Sequence, residues 1–140
     1  SDVCSSDLTV AAITGTELPH DAAEDSFNLL PALEGKATAP IRSYLLTQAF
    51  GGQRTLSIRR GSWKYIDHRG SGGNNYASPE LKRFALPDVA PEAPGQLYDL
   101  ASDPGETTNL YFKHPAIAAE LKALLDKSKA AGRSTALRQP

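Results

Sequence analysis

Between Ile41 and Asp67 the chain carries two glycine-bearing turns and a side-chain period of two, and this pattern constrains the fold more than anything else in the sequence. Thr55 to Arg59 alternates cleanly: Leu56 and Ile58 point one way, Thr55, Ser57 and Arg59 the other, as a half-buried strand requires. Before it, IRSYLLTQAF (41–50) is a strand candidate rich in large side chains, and Gly51-Gly52 supplies a hairpin turn. After it, Gly61-Ser62 makes a second turn, and in SWKYID Trp63 and Tyr65 share one face. Together these segments predict a three-strand antiparallel meander, with a fourth strand at Gln96 to Leu100.

The helical signals lie at either end. Pro115 to Ala131 is predicted as a helix, because proline suits the first helical position and Gly132 the residue just past the end. Ile117, Leu121, Leu124 and Leu125 fall on one stripe about 100° wide, which should pack on one face of the small sheet. Lys122, Asp126 and Lys129 face away, and the late lysines suit the negative end of the helix dipole. Near the start, Leu8 to Ile13 with Gly15 reads as the end of an apolar helix. Asp25 or Ser26 then caps a short helical segment carrying Phe27, Leu30 and Leu33, which Pro31 limits to one or two turns and Gly35 ends.

Asp67 to Gly95 is a long insertion rich in Gly, Asn and Pro, predicted as an ordered loop with Pro87, Pro91 and Pro94 on its return path. Asp103-Pro104-Gly105 spells a tight turn, with proline and glycine in the central positions of type II. The fold class expected is therefore α+β: a small four-stranded antiparallel sheet packed against a carboxyl-terminal amphipathic helix, preceded by a loosely structured helical connector. Bulky residues on both faces of the sheet (Tyr44, Leu45, Leu46, Trp63, Tyr65, Ile66) call for a second packing partner beyond that one helix.

At 140 residues the chain has room for one domain with a core. A net charge of -1 gives no field to draw in nucleic acid or an anionic membrane. No apolar run approaches the roughly 20 residues of a membrane span. The lone Cys4 sits in SDVCSSDL, with no nucleophile motif around it. Ser1 to Leu8 back-translates to DNA that reads as a sequencing adapter, so residues 1–8 are expected to be an artefact joined to a truncated gene. Residues 9–40 are then a connector, 41–134 the folded subdomain, and 135–140 a frayed tail.

The order of motifs is a short helix ending in a glycine, then DSFNLLPALEG (25–35), TLSIRRGSWKYI (55–66), QLYDLASDPGETTNL (96–110) and an amphipathic terminal helix beginning KHP (113–115). In that order they resemble the carboxyl-terminal subdomain of the formylglycine-dependent, arylsulfatase-like sulfatases. The loop GSGGNNY (70–76) is similar to that of a bacterial subgroup. The resemblance implies a missing amino-terminal catalytic domain as intramolecular partner, and a sulfated small molecule or carbohydrate as the parent's substrate. It implies neither a nucleic-acid nor a membrane partner. Localisation is not readable from this chain; the resemblance implies a periplasmic or secreted parent.

In that family a Cys or Ser within C/S-x-P/A-x-R becomes formylglycine, and a divalent cation, usually calcium, neutralises the sulfate oxygens. Hard calcium wants a cluster of carboxylate and amide oxygens. Cys4 is followed by Ser5, Ser6 and Asp7, and the paired aspartates and Asp-Asn pair that hold the metal are absent. The expectation is that no signature is present, that calcium and formylglycine belong to the missing domain, and that this chain alone hydrolyses no sulfate ester.

The candidate substrate-binding residues are His68, Arg69, Asn74, Asn75 and Tyr76, on the loop that leaves the third strand. Loops on a rigid scaffold carry specificity, and Arg suits sulfate as it suits phosphate. The competing reading is a glycine-rich turn whose Asn side chains satisfy their own backbone. Lys64 reads as a solvated strand residue rather than an anion ligand, His20 as a surface residue, and His114 as part of the helix cap. Two other functions stay open: a non-enzymatic α+β module binding a partner through its open sheet face or Gly-rich loop, and a free-standing hydrolase using Cys4 or a serine.

Overall fold

The computed structural model describes residues 6–49, 54–70 and 78–135. The chain divides into two compact units, residues 44–126 and residues 1–43 with 127–140.

The larger unit is the sheet. Strands β1 (Leu45–Gln48), β2 (Leu56–Arg60), β3 (Trp63–Ile66) and β4 (Gln96–Asp99) follow one another in the antiparallel order β1-β2-β3-β4. The α+β architecture expected from the sequence is the one found. Strand β1 is shorter than the ten-residue candidate 41–50, because Leu45 already pairs with Arg59 and its partner strand turns away at Gly61 (φ 61°). The proposed Gly51-Gly52 turn lies outside the described residues.

Register fixes the two faces. Ile58, Tyr65 and Leu97 stand side by side on one face, and all three are buried. Helix α1 (Asp7–Thr14) and the one-turn α2 (Leu30–Leu33) belong to the smaller unit, and α3 (Pro115–Ala131) supplies the other half of the core. Ala118, Leu121 and Leu125 are buried against that face, with Ile117 and Leu124 flanking them. The predicted stripe is the buried one, and the small Ala118 and Ser128 are buried with it. The Arg60 guanidinium pairs with the Glu120 carboxylate of α3, and Lys122 with Asp126 one turn on at 2.7 Å.

The opposite face is not bare. Tyr98 on it is fully buried, and Gln96 and Ser57 nearly so, while Leu45 stays 37% exposed. The loop 78–95 contributes only a short 3-10 turn (Lys82–Phe84) and two buried alanines, Ala90 and Ala93. Its last residue meets the Tyr65 ring so closely that a Cβ on Gly95 would lie 2.5 Å from the Tyr65 Oη.

Beyond β4 the chain reverses at Asp103–Glu106, where the Glu106 amide donates to the Asp103 carbonyl at 3.1 Å. The turn is where the sequence places it, but it is not type II, which needs a positive φ at Gly105. The left-handed residue is Glu106 instead, at φ 54°. The Asp103 carboxylate accepts from the Thr107 and Thr108 amides and the Thr107 hydroxyl, and these bonds hold the turn in its observed form. Asn109 then closes the outer edge of β4. Its Oδ1 accepts from the Leu97 and Tyr111 amides at 3.0 Å each, its Nδ2 donates to the Gly95 carbonyl, and the Leu110 amide donates to the Leu97 carbonyl.

In the smaller unit, α1 ends at Gly15 in the left-handed region, as its sequence predicts. Ser26 does not cap α2. Its buried hydroxyl accepts the Leu8 amide at 2.9 Å, satisfying the amino-terminal turn of α1 from a distance. Asn28 takes the local role on α2, accepting the Leu30 amide at 3.0 Å, and Asp25 accepts the Ser134 amide at 2.8 Å. The Thr9 hydroxyl bridges the Phe27 carbonyl and the Leu29 amide, so segment 26–29 is held along α1 by side chains rather than by its own helix.

Candidate functional site

Strand β3 ends at Ile66, opposite Gln96, and the chain leaves the sheet at His68. Asp67 still donates its amide to the Leu56 carbonyl at 3.0 Å, so the exit is anchored on the β2 side. On the β4 side the ladder has ended, and a side chain replaces it: Gln96 Nε2 donates to the His68 carbonyl at 3.1 Å. Gln96 Oε1 accepts from the Tyr98 hydroxyl at 2.7 Å. Gly70 follows at φ 131°, a conformation closed to residues with a Cβ.

These contacts leave the His68 and Arg69 side chains exposed, side by side at the root of the loop. Arg69 Nη2 lies 3.3 Å from Glu92 Oε2 and 3.5 Å from the Pro91 carbonyl. The ion pair is solvent-facing, with 64% and 85% of the two side chains exposed. An exposed pair is worth about 0–1 kcal/mol, so the guanidinium can exchange Glu92 for another anion at little cost. Asn74, Asn75 and Tyr76 lie outside the described residues.

Lys64 is neither solvated nor placed as an anion ligand. Its Nζ meets Glu106 Oε1 at 2.6 Å, with a quarter of each side chain exposed. It stands beside Tyr98 on the covered face of the sheet. Burial, and then the nearby carboxylates of Glu106, Asp88 and Asp103, push the Tyr98 phenol well above its usual range, so it stays a hydrogen-bond donor at physiological pH. Tyr65 is raised for the same reasons, burial first and Asp67 second.

His114 takes the cap position, its carbonyl accepting the Ala118 amide at 3.1 Å. Its ring packs against Trp63 in a tilted arrangement, with centroids 5.0 Å apart and planes at 59°. Hydrogen bonds from the Ser62 hydroxyl and then the Ala101 amide hold Asp99, nearby, below its usual range. His20 is exposed.

Among the described residues no group of three or more His, Cys, Asp or Glu side chains could hold a metal ion. No described helix is long and apolar enough to cross a membrane. By letters alone Ser134-Thr135-Ala136-Leu137-Arg138 does meet the pattern C/S-x-P/A-x-R, contrary to the expectation that the chain contains none. It follows the last helix, where the Ser134 amide bonds Asp25, and residues 136–138 lie outside the described residues. Three constrained positions in five match readily by chance.

The sheet and its covering helix form a small α+β module, and comparison with known proteins finds it similar to part of several sulfatases. No protein-family model matches the chain. It is 34% identical over 121 residues to the N-acetylgalactosamine-6-O-sulfatase of Bacteroides thetaiotaomicron, covering 86% of this chain and 22% of that protein. It is 28% identical over 104 residues to human arylsulfatase A, covering 73% of this chain and 20% of that protein. A solved Bacteroides thetaiotaomicron structure, described with the metabolism of multiple glycosaminoglycans, superimposes with a TM-score of 0.62 at 34% identity, over 87% of this chain and 23% of that one. The chain matches a carboxyl-terminal segment of sulfatases and spans about a fifth of the length of the relatives it matches.

Proposed function

We propose that this chain is the carboxyl-terminal module of an enzyme that hydrolyses sulfate esters of a sulfated carbohydrate, and that the chemistry resides elsewhere in that polypeptide. The observation that carries the reading is the match to the N-acetylgalactosamine-6-O-sulfatase along 86% of this chain but only 22% of the relative. Calcium and formylglycine then belong to the catalytic part. The module's own contribution is a rigid sheet that presents the loop beginning at His68 and Arg69, with Asn74, Asn75 and Tyr76 further along it, to a sulfated sugar. An exposed guanidinium with an exchangeable partner suits a sulfate group.

The surface that meets the catalytic part is the loop 81–89. Leu81, Phe84, Leu86 and Val89 are between 40% and 55% exposed within nine positions, apolar surface that suits such a contact. The same cluster supports the second reading, a non-enzymatic module that binds a partner. On that reading the contact is made by this loop, since Tyr98 and Gln96 on the sheet face are already buried.

The coding sequence upstream of residue 9 decides between them. It is expected to continue in frame and to encode C/S-x-P/A-x-R with its carboxylate metal ligands. A start codon at this point, with no such signature, would establish the binding module instead.

A further inference from the structure

We infer that Gln96 and Tyr98 are positioning residues that fix the backbone at His68–Gly70 and thereby set how tightly His68 and Arg69 hold a sulfated ligand. The ligand half of this inference rests on the reading just given; the positioning half rests on geometry alone. A carbonyl only accepts, so the Gln96 nitrogen must face the His68 carbonyl, at 3.1 Å. That orientation turns Gln96 Oε1 toward the Tyr98 hydroxyl at 2.7 Å, which must therefore donate. The relay runs one way, from Tyr98 through Gln96 to His68, and neither amide flip nor phenolate is compatible with it. The burial that keeps the phenol protonated protects the relay.

The relay does what backbone pairing cannot. Ile66 and Gln96 form the last pair between β3 and β4. Two residues further on, the Gln96 side chain holds the chain that backbone bonds no longer reach. Both residues are nearly or fully buried, so the tether is set in the core while the side chains it aims, His68 and Arg69, stay in solvent. Gly70 packs over the same amide: a Cβ there would sit 3.5 Å from Gln96 Nε2. A buried hydrogen bond holds such a root more firmly than the exposed Arg69–Glu92 pair can.

The test uses the 140-residue chain with Tyr98→Phe, Gln96→Met and, as a control for simple destabilisation, Leu124→Ala on α3. Nuclear magnetic resonance relaxation reads the order of the His68–Gly70 backbone, and titration with N-acetylgalactosamine 6-sulfate reads binding. Backbone order parameters at 68–70 are expected near ~0.85 in the parent chain and below ~0.6 in both relay variants, with sugar affinity weakened several-fold. Leu124→Ala should lower the melting temperature and change neither. Unchanged order at 68–70 in both relay variants would overturn the positioning role. Equal affinity in all four proteins would overturn the link to binding. If the parent chain does not bind the sugar, the ligand reading and the affinity claim fall together, and the order parameters still decide the rest. Tyr98→Phe keeps the ring in the core, so it reports even if Gln96→Met fails to fold.

Discussion

The Lys64 ammonium and the Glu106 carboxylate meet at 2.6 Å although they lie 42 residues apart, and Glu106 sits in the left-handed region at φ 54°. The turn places a conformation that glycine favours on Glu106, one position after the Gly105 that the sequence offers for it. A left-handed residue with a Cβ costs about 1–2 kcal/mol, and a hydrogen bond to a charged group is worth about 1.5–3 kcal/mol, so the pair is of the size needed to offset the strain.

Glu106→Ala and Glu106→Gly both delete the carboxylate, but only alanine keeps the strain. Both should destabilise the chain, and the glycine variant should be the milder by about 1 kcal/mol. Chemical denaturation of the two variants measures the difference; equal midpoints would remove the strain from the account.

Gly95→Ala drives a methyl group into the Tyr65 ring, to within 2.5–2.8 Å of three of its atoms. Tyr65 is buried between Ile58 and Leu97 and has no room to retreat. Overpacking of this kind costs about 1–3 kcal/mol. The combination with Tyr65→Leu should recover most of the loss, which thermal melting would show.

Leu121→Ala and Leu125→Ala each open a hole between α3 and the sheet, where both side chains are buried. Each should cost about 2–5 kcal/mol, and Leu33→Ala, 72% exposed, should cost almost nothing. A similar loss at Leu33 and Leu121 would contradict the packing described.

Asp103 responds to acid. Desolvation works against its ionised form, but the Thr107 and Thr108 amides and the Thr107 hydroxyl overcome it and hold the carboxyl below its ordinary 3.8. A group with a lowered folded value contributes stability above its unfolded value and loses it as pH falls through the folded one. The melting temperature should therefore drop below about pH 4, and less steeply in Asp103→Asn.

At the alkaline end the signs reverse. Tyr65 and Tyr98 have folded values above their ordinary 10.0, so they stabilise fully below that pH and progressively less above it. Tyrosinate absorbance from these two should appear together with loss of helical dichroism. Tyr98→Phe should flatten the alkaline decline of stability.

Where regular structure was legible in the sequence, two signals coincided. Helix α3 has Pro115 at one end, Gly132 at the other and an apolar stripe between, and its bounds follow from them. Strands β2 to β4 follow from alternation between glycine turns. What escaped notice is carried by polar side chains acting at long range. Ser26 satisfies an α1 amide 18 residues away, and Asn109 pairs with β4 from 12. No local pattern distinguishes these from ordinary turn residues. Gln96 left a faint trace, as a polar residue opening the apolar stretch QLYDL, and burial explains it. Of the candidate site, the place of His68 and Arg69 at the exit of β3 was readable from the strand end. The tether beneath them was not, because it depends on register between strands about thirty residues apart.

Segment 109–111 occupies the outer side of β4, so among the described residues the sheet has one finished margin and one unfinished. Among the described residues, the margin left for a further strand is Leu45–Gln48. Growth of this sheet is directional, and a charge or proline introduced at Leu45 would close its remaining side.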